Sequence, residues 1–299
     1  MTRVAAVDCG TNSIRLLISE IQEDGKIRDI SRTMEIVRLG QGVDATGEFD
    51  PAALARTRAA LEEYVKQMKF EKVERVRMVA TSATRDAKNH REFFDMTAEL
   101  LGQVQPGARA EVISGEEEAL LSFTGAVADL SSEKGPYCVI DLGGGSTEFV
   151  VGTIEGEILG SHSAQMGCVR LTERMMRSDP PTEAEVEIAT DYVAERMADV
   201  EKIVPIDKAV TFVGCAGTFT TLSALAQGME RYDADSIHGS ELRFDALRVL
   251  TRQMIGLASD VRALNPVIHP GRADVIGGGC VAVEGIMTMI CLLYTSPSP

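Results

Sequence analysis

The chain has 299 residues, with 45 Asp and Glu against 30 Lys and Arg, a formal net charge of −15 and a pI near 4.8. That balance excludes a broad nucleic-acid or anionic-membrane surface, because such surfaces depend on clustered Lys and Arg; a polyanionic ligand would need a local basic path instead. Hydrophobic content of 44% suits two globular domains of ordinary size, no apolar run approaches bilayer length, and Met1-Thr2-Arg3-Val4 lacks a signal-peptide core, so the cytoplasm is the expected location.

In chain order, residues 3–8, 13–21 and 26–39 read as three successive strands, followed by a glycine-punctuated loop over 40–47. Asp50-Pro51 opens a helix, with Asp as N-cap and Pro at the first helical position, and Leu54, Leu61, Tyr64, Val65 and Met68 recur at helical spacing. Strands are expected at 75–80 and 110–113. Ser114-Gly115-Glu116-Glu117 fits a capping box starting a helix to about Ala128. The polar stretch 129–136 is the expected domain boundary, giving domains of 1–128 and 129–290.

Residues 137–141, 146–153 and 157–166 then repeat the three-strand opening. Thr182 and Glu185 form a second capping box, heading a long helix, and 209–213 is a strand running into Gly214-Cys215-Ala216-Gly217-Thr218 and a helix from near Phe219. Helices are expected over 244–257 and 274–290, the second interrupted by Gly277-Gly278-Gly279. Residues 291–299 lack a helical period and read as a non-native tail. Strands followed by alternating helix and strand, twice over, indicate α/β layers with a mixed sheet in each domain. The six cysteines show neither Cys-X-X-Cys nor a Cys/His zinc spacing and read as reduced core residues.

One pattern occurs twice. Asp8-Cys9-Gly10-Thr11-Asn12-Ser13 and Asp141-Leu142-Gly143-Gly144-Gly145-Ser146 each join two β-rich runs through a small, donor-rich turn. So long an interval between copies suggests duplicated domains, not a solenoid. Glycine lets a ligand approach the main chain, so successive amides can converge on phosphate oxygens, and the Asp ending the strand can hold a hard cation. A single such loop would read as a tight turn with an Asx cap. Two copies in register favour phosphate binding.

Together with Ala80-Thr81-Ser82-Ala83-Thr84-Arg85-Asp86-Ala87, Ile113-Ser114-Gly115-Glu116-Glu117-Glu118-Ala119 and Gly214–Thr218, these motifs resemble the exopolyphosphatase/guanosine pentaphosphate phosphohydrolase family, within the actin-like ATPase superfamily. The resemblance runs from Val4 to about Ile286. It implies an α/β fold of two ribonuclease-H-like domains, each a mixed five-stranded sheet with helices, facing a cleft. It also implies Mg²⁺-assisted release of terminal orthophosphate from inorganic polyphosphate, with guanosine pentaphosphate as the alternative substrate. An actin-like ATP-dependent phosphotransferase is the rival from another class. A homodimer is left open as the assembly, and no nucleic-acid or membrane partner is expected.

The family pattern assigns the catalytic base to Glu118, a carboxylate that can align water and take its proton, while Glu116 and Glu117 complement the helix dipole. Glu148, two residues past the second loop, would orient the water or a hydrated cation. Asp8 and Asp141 are the metal candidates, since Mg²⁺ commonly takes one or two carboxylates and keeps several waters. Arg85 would grip a phosphoryl group bidentately, though a helix start disfavours a cation. Thr11, Asn12, Ser13, Gly143, Gly144, Gly145 and Ser146 supply loop donors, and Gly217 and Thr218 a further phosphate cradle. A basic strip of Arg85, Arg170 and Arg272 would guide a long polyanion across the acidic protein. His238 and His269 are read as structural.

Overall fold

The structure, a computed structural model, describes residues 1–295, with side chains as far as Cys291. It divides into two compact units, residues 1–114 and the chain from Gly115 onward.

Unit 1 runs β1 (Thr2–Cys9), β2 (Ser13–Ile21), β3 (Ile27–Ile36), α1 (Val43–Thr46), α2 (Pro51–Phe70), β4 (Arg75–Ala80), α3 (Ser82–Asp86), α4 (His90–Leu101) and β5 (Ala110–Val112). Its sheet has the order β3-β2-β1-β4-β5, with β1 antiparallel to β2 and parallel to β4. This is the ribonuclease-H-like order. Strict alternation in β2 buries Ile14, Leu16 and Ile18 on one face, toward the core that α2 and α4 also line. The Asp50 side chain accepts from the Ala52 amide at 2.6 Å, starting α2, and the Tyr64 hydroxyl reaches the Ile14 carbonyl at 2.9 Å, tying helix to sheet. The 40–47 loop contains a single helical turn, α1, bounded by Gly42 and Gly47 at φ of 74° and 71°.

Unit 2 runs α5 (Gly115–Val127), β6 (Tyr137–Leu142), β7 (Thr147–Gly152), β8 (Ile158–Ala164), α6 (Cys168–Met175), α7 (Glu183–Ile203), β9 (Thr211–Cys215), α8 (Ala216–Ala226), α9 (Ala234–Ile237), α10 (Phe244–Gly256), α11 (Ser259–Ala263) and α12 (Ile276–Thr295). Its sheet has the order β8-β7-β6-β9. Tyr137, Val139 and Val150 pack against Ala119, Phe123 and Val127 of α5, while Cys138, Ile140, Phe149 and Val151 face the core shared with α7, α8 and α12. With both faces covered, β6 and β7 are apolar almost throughout.

Three expectations need correcting. The unit boundary falls at Ser114/Gly115 and not at 128/129, because the apolar side of α5 is buried on the second sheet; the polar stretch 129–136 is a loop within unit 2. That sheet has four strands among the described residues, where five were expected. The apolar pair Val267–Ile268 lies between Pro266 and Pro270, which lack a ladder donor, and the Ile268 amide turns back to the Asn265 carbonyl at 3.0 Å. Finally, Gly277–Gly279 do not interrupt α12, which continues to Thr295, past the expected end at Ile290. A Cβ on Gly278 would lie 2.7 Å from the Cys168 carbonyl oxygen, and one on Gly279 would lie 2.4 Å from Thr218 Oγ1, so these glycines permit close helix packing. Residues 296–299, the rest of the expected tail, lie outside the described residues. No helix among the described residues is long and apolar enough to cross a membrane.

Candidate active site

The two motif copies fold into hairpin tips of the same geometry. In each, the glycine amide closes the turn on a serine carbonyl at 3.0 Å, Gly10 to Ser13 and Gly143 to Ser146. Five further carbonyls of the two tips are tied into the protein. Thr11 O accepts from Gly40, and Asn12 O from Val37 and Arg38. Gly143 O accepts from Cys168, and Gly144 O from Val169 and Arg170, at the N-terminus of α6. Arg170 Nε holds Gly145 O at 2.7 Å. Among the described residues, the amides of Thr11, Asn12, Gly144 and Gly145 have no protein acceptor. Each tip therefore keeps most of its acceptors occupied and its donors available, the polarity an anion site requires. Ser13 and Ser146 stand buried at the tips.

Beside the second tip, three carboxylates gather. Asp141 and Glu148 are directly opposite in the antiparallel register of β6 and β7. Glu148 is 2% exposed, and its Oε1 accepts from Ser163 Oγ at 2.8 Å. Burial, then the negative charges of Glu118 and Asp141, push the Glu148 carboxyl up to about 8, against the pull of hydrogen bonds from Ser146 and Ser163. Asp141 Oδ2 accepts from Ser122 Oγ. Ser122 follows Glu118 by one turn of α5, so both lie on the side facing the hairpin. Glu118 is half-buried where Glu116 and Glu117 are exposed, so the three consecutive glutamates separate by burial. In unit 1, Asp8 is opposite Arg15 and pairs with it at 3.1 Å.

The arginines are used differently from one another. Arg85 lies in the last turn of α3, the end that favours a cation and not the helix start expected, and donates to the Ile113 carbonyl at 2.9 Å. Arg170 braces the glycine loop and reaches Gln165 Oε1 at 3.2 Å, so it is no simple member of an open strip. Arg272 lies over Gly217 at the start of α8, where a Cβ would fall 1.4 Å from its Nη1, and Thr218 is buried beside it in the first turn. His238 makes an exposed 3.8 Å contact with Asp129, and the His269 ring accepts from the Gly271 amide.

Residues 17–292 match the sequence pattern of the Ppx/GppA phosphatase family. The chain belongs to that family. It is 55% identical over 287 residues to exopolyphosphatase 2 of Mycobacterium tuberculosis, covering 95% of this chain and 89% of that one. The guanosine-5'-triphosphate,3'-diphosphate pyrophosphatase of Vibrio cholerae is 32% identical over 76% of this chain and 44% of its own length. Among solved structures, an exopolyphosphatase-like protein superposes with a TM-score of 0.91 at 38% identity, covering 98% of this chain and 90% of that one.

Within this family member, the duplicated loops, Glu118, Glu148 and Asp141 were legible from motifs, and the structure draws the last three together. Asp8 and Arg85 belong to unit 1, each with its own partners there. Sequence reasoning missed Ser122 and Ser163, whose only signal was spacing from Glu118 and from Glu148 that acquires meaning once the register is known. It also missed α6, announced by nothing stronger than Gly167. A Cβ there would lie 2.4 Å from the Gly144 carbonyl. Among the described residues, no three His, Cys, Asp or Glu side chains gather as a ready metal cage. The adjacent oxygens of Asp141 and Glu148 nonetheless suit Mg²⁺, which completes its shell from water and substrate oxygens.

Proposed function

We propose that the protein is an exopolyphosphatase, releasing terminal orthophosphate from inorganic polyphosphate by hydrolysis with Mg²⁺. The observation that carries this is the gathering of Glu118, Asp141 and Glu148 beside a loop whose amides are open and whose carbonyls are occupied. The 55% identity to a relative named an exopolyphosphatase supports it.

Glu118 takes the proton of the attacking water, since it is the half-buried member of its glutamate run and a carboxylate within reach raises the nucleophilicity of water. The amides of Gly144 and Gly145 bind phosphoryl oxygens, and Ser146 adds a hydroxyl. Asp141, held by Ser122, and Glu148, held by Ser163, would hold the cation. A cation held by these two carboxylates would supply charge neutralisation to the phosphoryl oxygens. Gly217 and Thr218 form a further phosphate cradle within unit 2, and unit 1 carries phosphate-binding groups of its own in Thr11, Asn12, Ser13 and Arg85.

Guanosine pentaphosphate is the second substrate reading, supported by the Vibrio cholerae relative, whose similarity is lower and covers less of its length. Phosphate release from polyphosphate, guanosine pentaphosphate and ATP, assayed side by side with Mg²⁺, separates them. Polyphosphate is expected to be the best substrate. Transfer from ATP to an acceptor, without polyphosphate hydrolysis, would move the protein to the phosphotransferase class. A homodimer in the cytoplasm is the assembly and location proposed, and sedimentation of the purified chain tests the first.

A further inference from the structure

Glu148 stands opposite Asp141 on β6 and opposite Ser163 on β8, so Asp141, Glu148 and Ser163 form one row across three strands, on the face that α5 covers. Each carboxylate of the row has its own hydroxyl. Ser163 Oγ donates to Glu148 Oε1 at 2.8 Å along the row, and Ser122 Oγ donates from α5 to Asp141 Oδ2. Ser146, at the loop tip, gives Glu148 a further hydroxyl.

The packing around these serines holds them in place. Gly115, the first residue of α5, lies against Ser163: a Cβ there would fall 2.7 Å from Ser163 Cβ and 2.9 Å from its Oγ. The missing side chain at 115 is what lets Ser163 stand toward Glu148. Ser122 is carried by the same helix, whose Ala119 and Phe123 are buried on the sheet to either side of it in sequence. Both serines are half-buried, where water competes less for their protons.

A serine hydroxyl has one proton to give, so each bond commits one carboxylate oxygen. Gripping a cation with both oxygens would mean breaking that bond. Ca²⁺ builds large oxygen shells and readily takes a carboxylate by both oxygens, whereas Mg²⁺ is smaller, prefers an octahedron and keeps several waters beside one or two carboxylates. Mn²⁺ shares that oxygen-rich octahedral preference.

We infer that Ser122 and Ser163 select the cation: by committing one oxygen of Asp141 and one of Glu148, they hold the pair to single-oxygen ligation and so favour Mg²⁺ and Mn²⁺ over Ca²⁺. This rests on the reading of Asp141 and Glu148 as the cation's ligands and goes beyond it in naming the residues that discriminate between cations.

Titrations of the full chain test it, read by binding and not by turnover. Mn²⁺ alone, followed by electron paramagnetic resonance, should bind the wild-type chain and bind Asp141→Asn about tenfold or more weakly. Ca²⁺ is then titrated against bound Mn²⁺. The preference for Mn²⁺ over Ca²⁺, taken as the ratio of their dissociation constants, should fall by about tenfold in the Ser122→Ala/Ser163→Ala double variant and by less in each single one. Ser122→Thr, which keeps the hydroxyl, should hold the wild-type ratio. Circular dichroism checks folding, and the single variants carry the test if the double one does not fold. A ratio unchanged in the alanine variants, with both cations weakened equally, overturns the inference and leaves Asp141 and Glu148 as ligands. Mn²⁺ binding indifferent to Asp141→Asn would defeat the ligand reading and the inference with it.

Discussion

Glu118 and Glu148 are both carboxylates near one loop, and their surroundings divide their work. Glu118→Gln is nearly isosteric, so the fold should persist while turnover falls by about 10²–10⁴-fold, as for a lost general base. Wild-type rates of polyphosphate hydrolysis in that variant would remove Glu118 from the role. Glu148 carries a pH signature. Its folded carboxyl is raised from 4.5 to about 8, so the stability it contributes is fully present below about 4.5 and lost as pH rises toward 8. Without metal, wild-type protein should lose thermal stability relative to Glu148→Gln across that window, and Mg²⁺ should reverse the loss. Parallel melting profiles for the two proteins would mean that Glu148 is not strained by burial. The motif pointed to both residues. It could not point to Ser122 or Ser163, because a serine becomes a carboxylate partner only when α5 and β8 are laid against the hairpin.

Among the elements, α7 is the most completely written in sequence. Thr182 and Glu185 form the expected capping box, and Glu185 also accepts from the amides of Arg177 and Ser178. Thr182→Ala should cost about 1 kcal/mol, read from denaturant melts. Hydrogen bonds from the Thr182 amide, then that of Ser178, hold the Glu185 carboxyl down at about 2, so the support it gives is present above 4.5 and fades as pH falls toward 2. Helix α6 is the opposite case. Eight residues with no cap side chain gave little warning, yet its amides fix the second glycine loop. Gly167→Ala would set a Cβ 2.4 Å from Gly144 and 2.6 Å from the Gly145 amide, all main chain that has to move. Overpacking of this kind costs about 1–3 kcal/mol, and tripolyphosphate binding should weaken with it. An unchanged melt and unchanged binding would show that loop and helix are not coupled. Gly277–Gly279 were misjudged for the same reason, since a propensity penalty of about 1 kcal/mol per glycine is outweighed when the missing side chains let α12 approach α6 and α8.

For the whole molecule, a net charge of −15 must coexist with a polyanionic substrate. The arginines reconcile the two locally, through guanidinium groups built into loops and helix ends more than through an open basic track. Arg170→Ala therefore removes a brace of Gly145 and should raise the half-saturating concentration of tripolyphosphate and of long polyphosphate alike. A larger effect on long chains, eroded by salt, would restore a strip that follows the polymer, because exposed charge pairs are screened over about 8 Å at physiological ionic strength.

The sequence by itself determined the duplicated β-hairpin, the helix starts at Pro51 and Glu183 and the acidic character, because each is a local matter of period, cap or composition. Tertiary structure alone decided that α5 belongs with the second sheet, that α6 polarises the glycine loop, and that Asp141 faces a glutamate while Asp8 faces an arginine. Those outcomes depend on register and on which buried faces meet, and burial is a property of neighbours that the local chain does not contain.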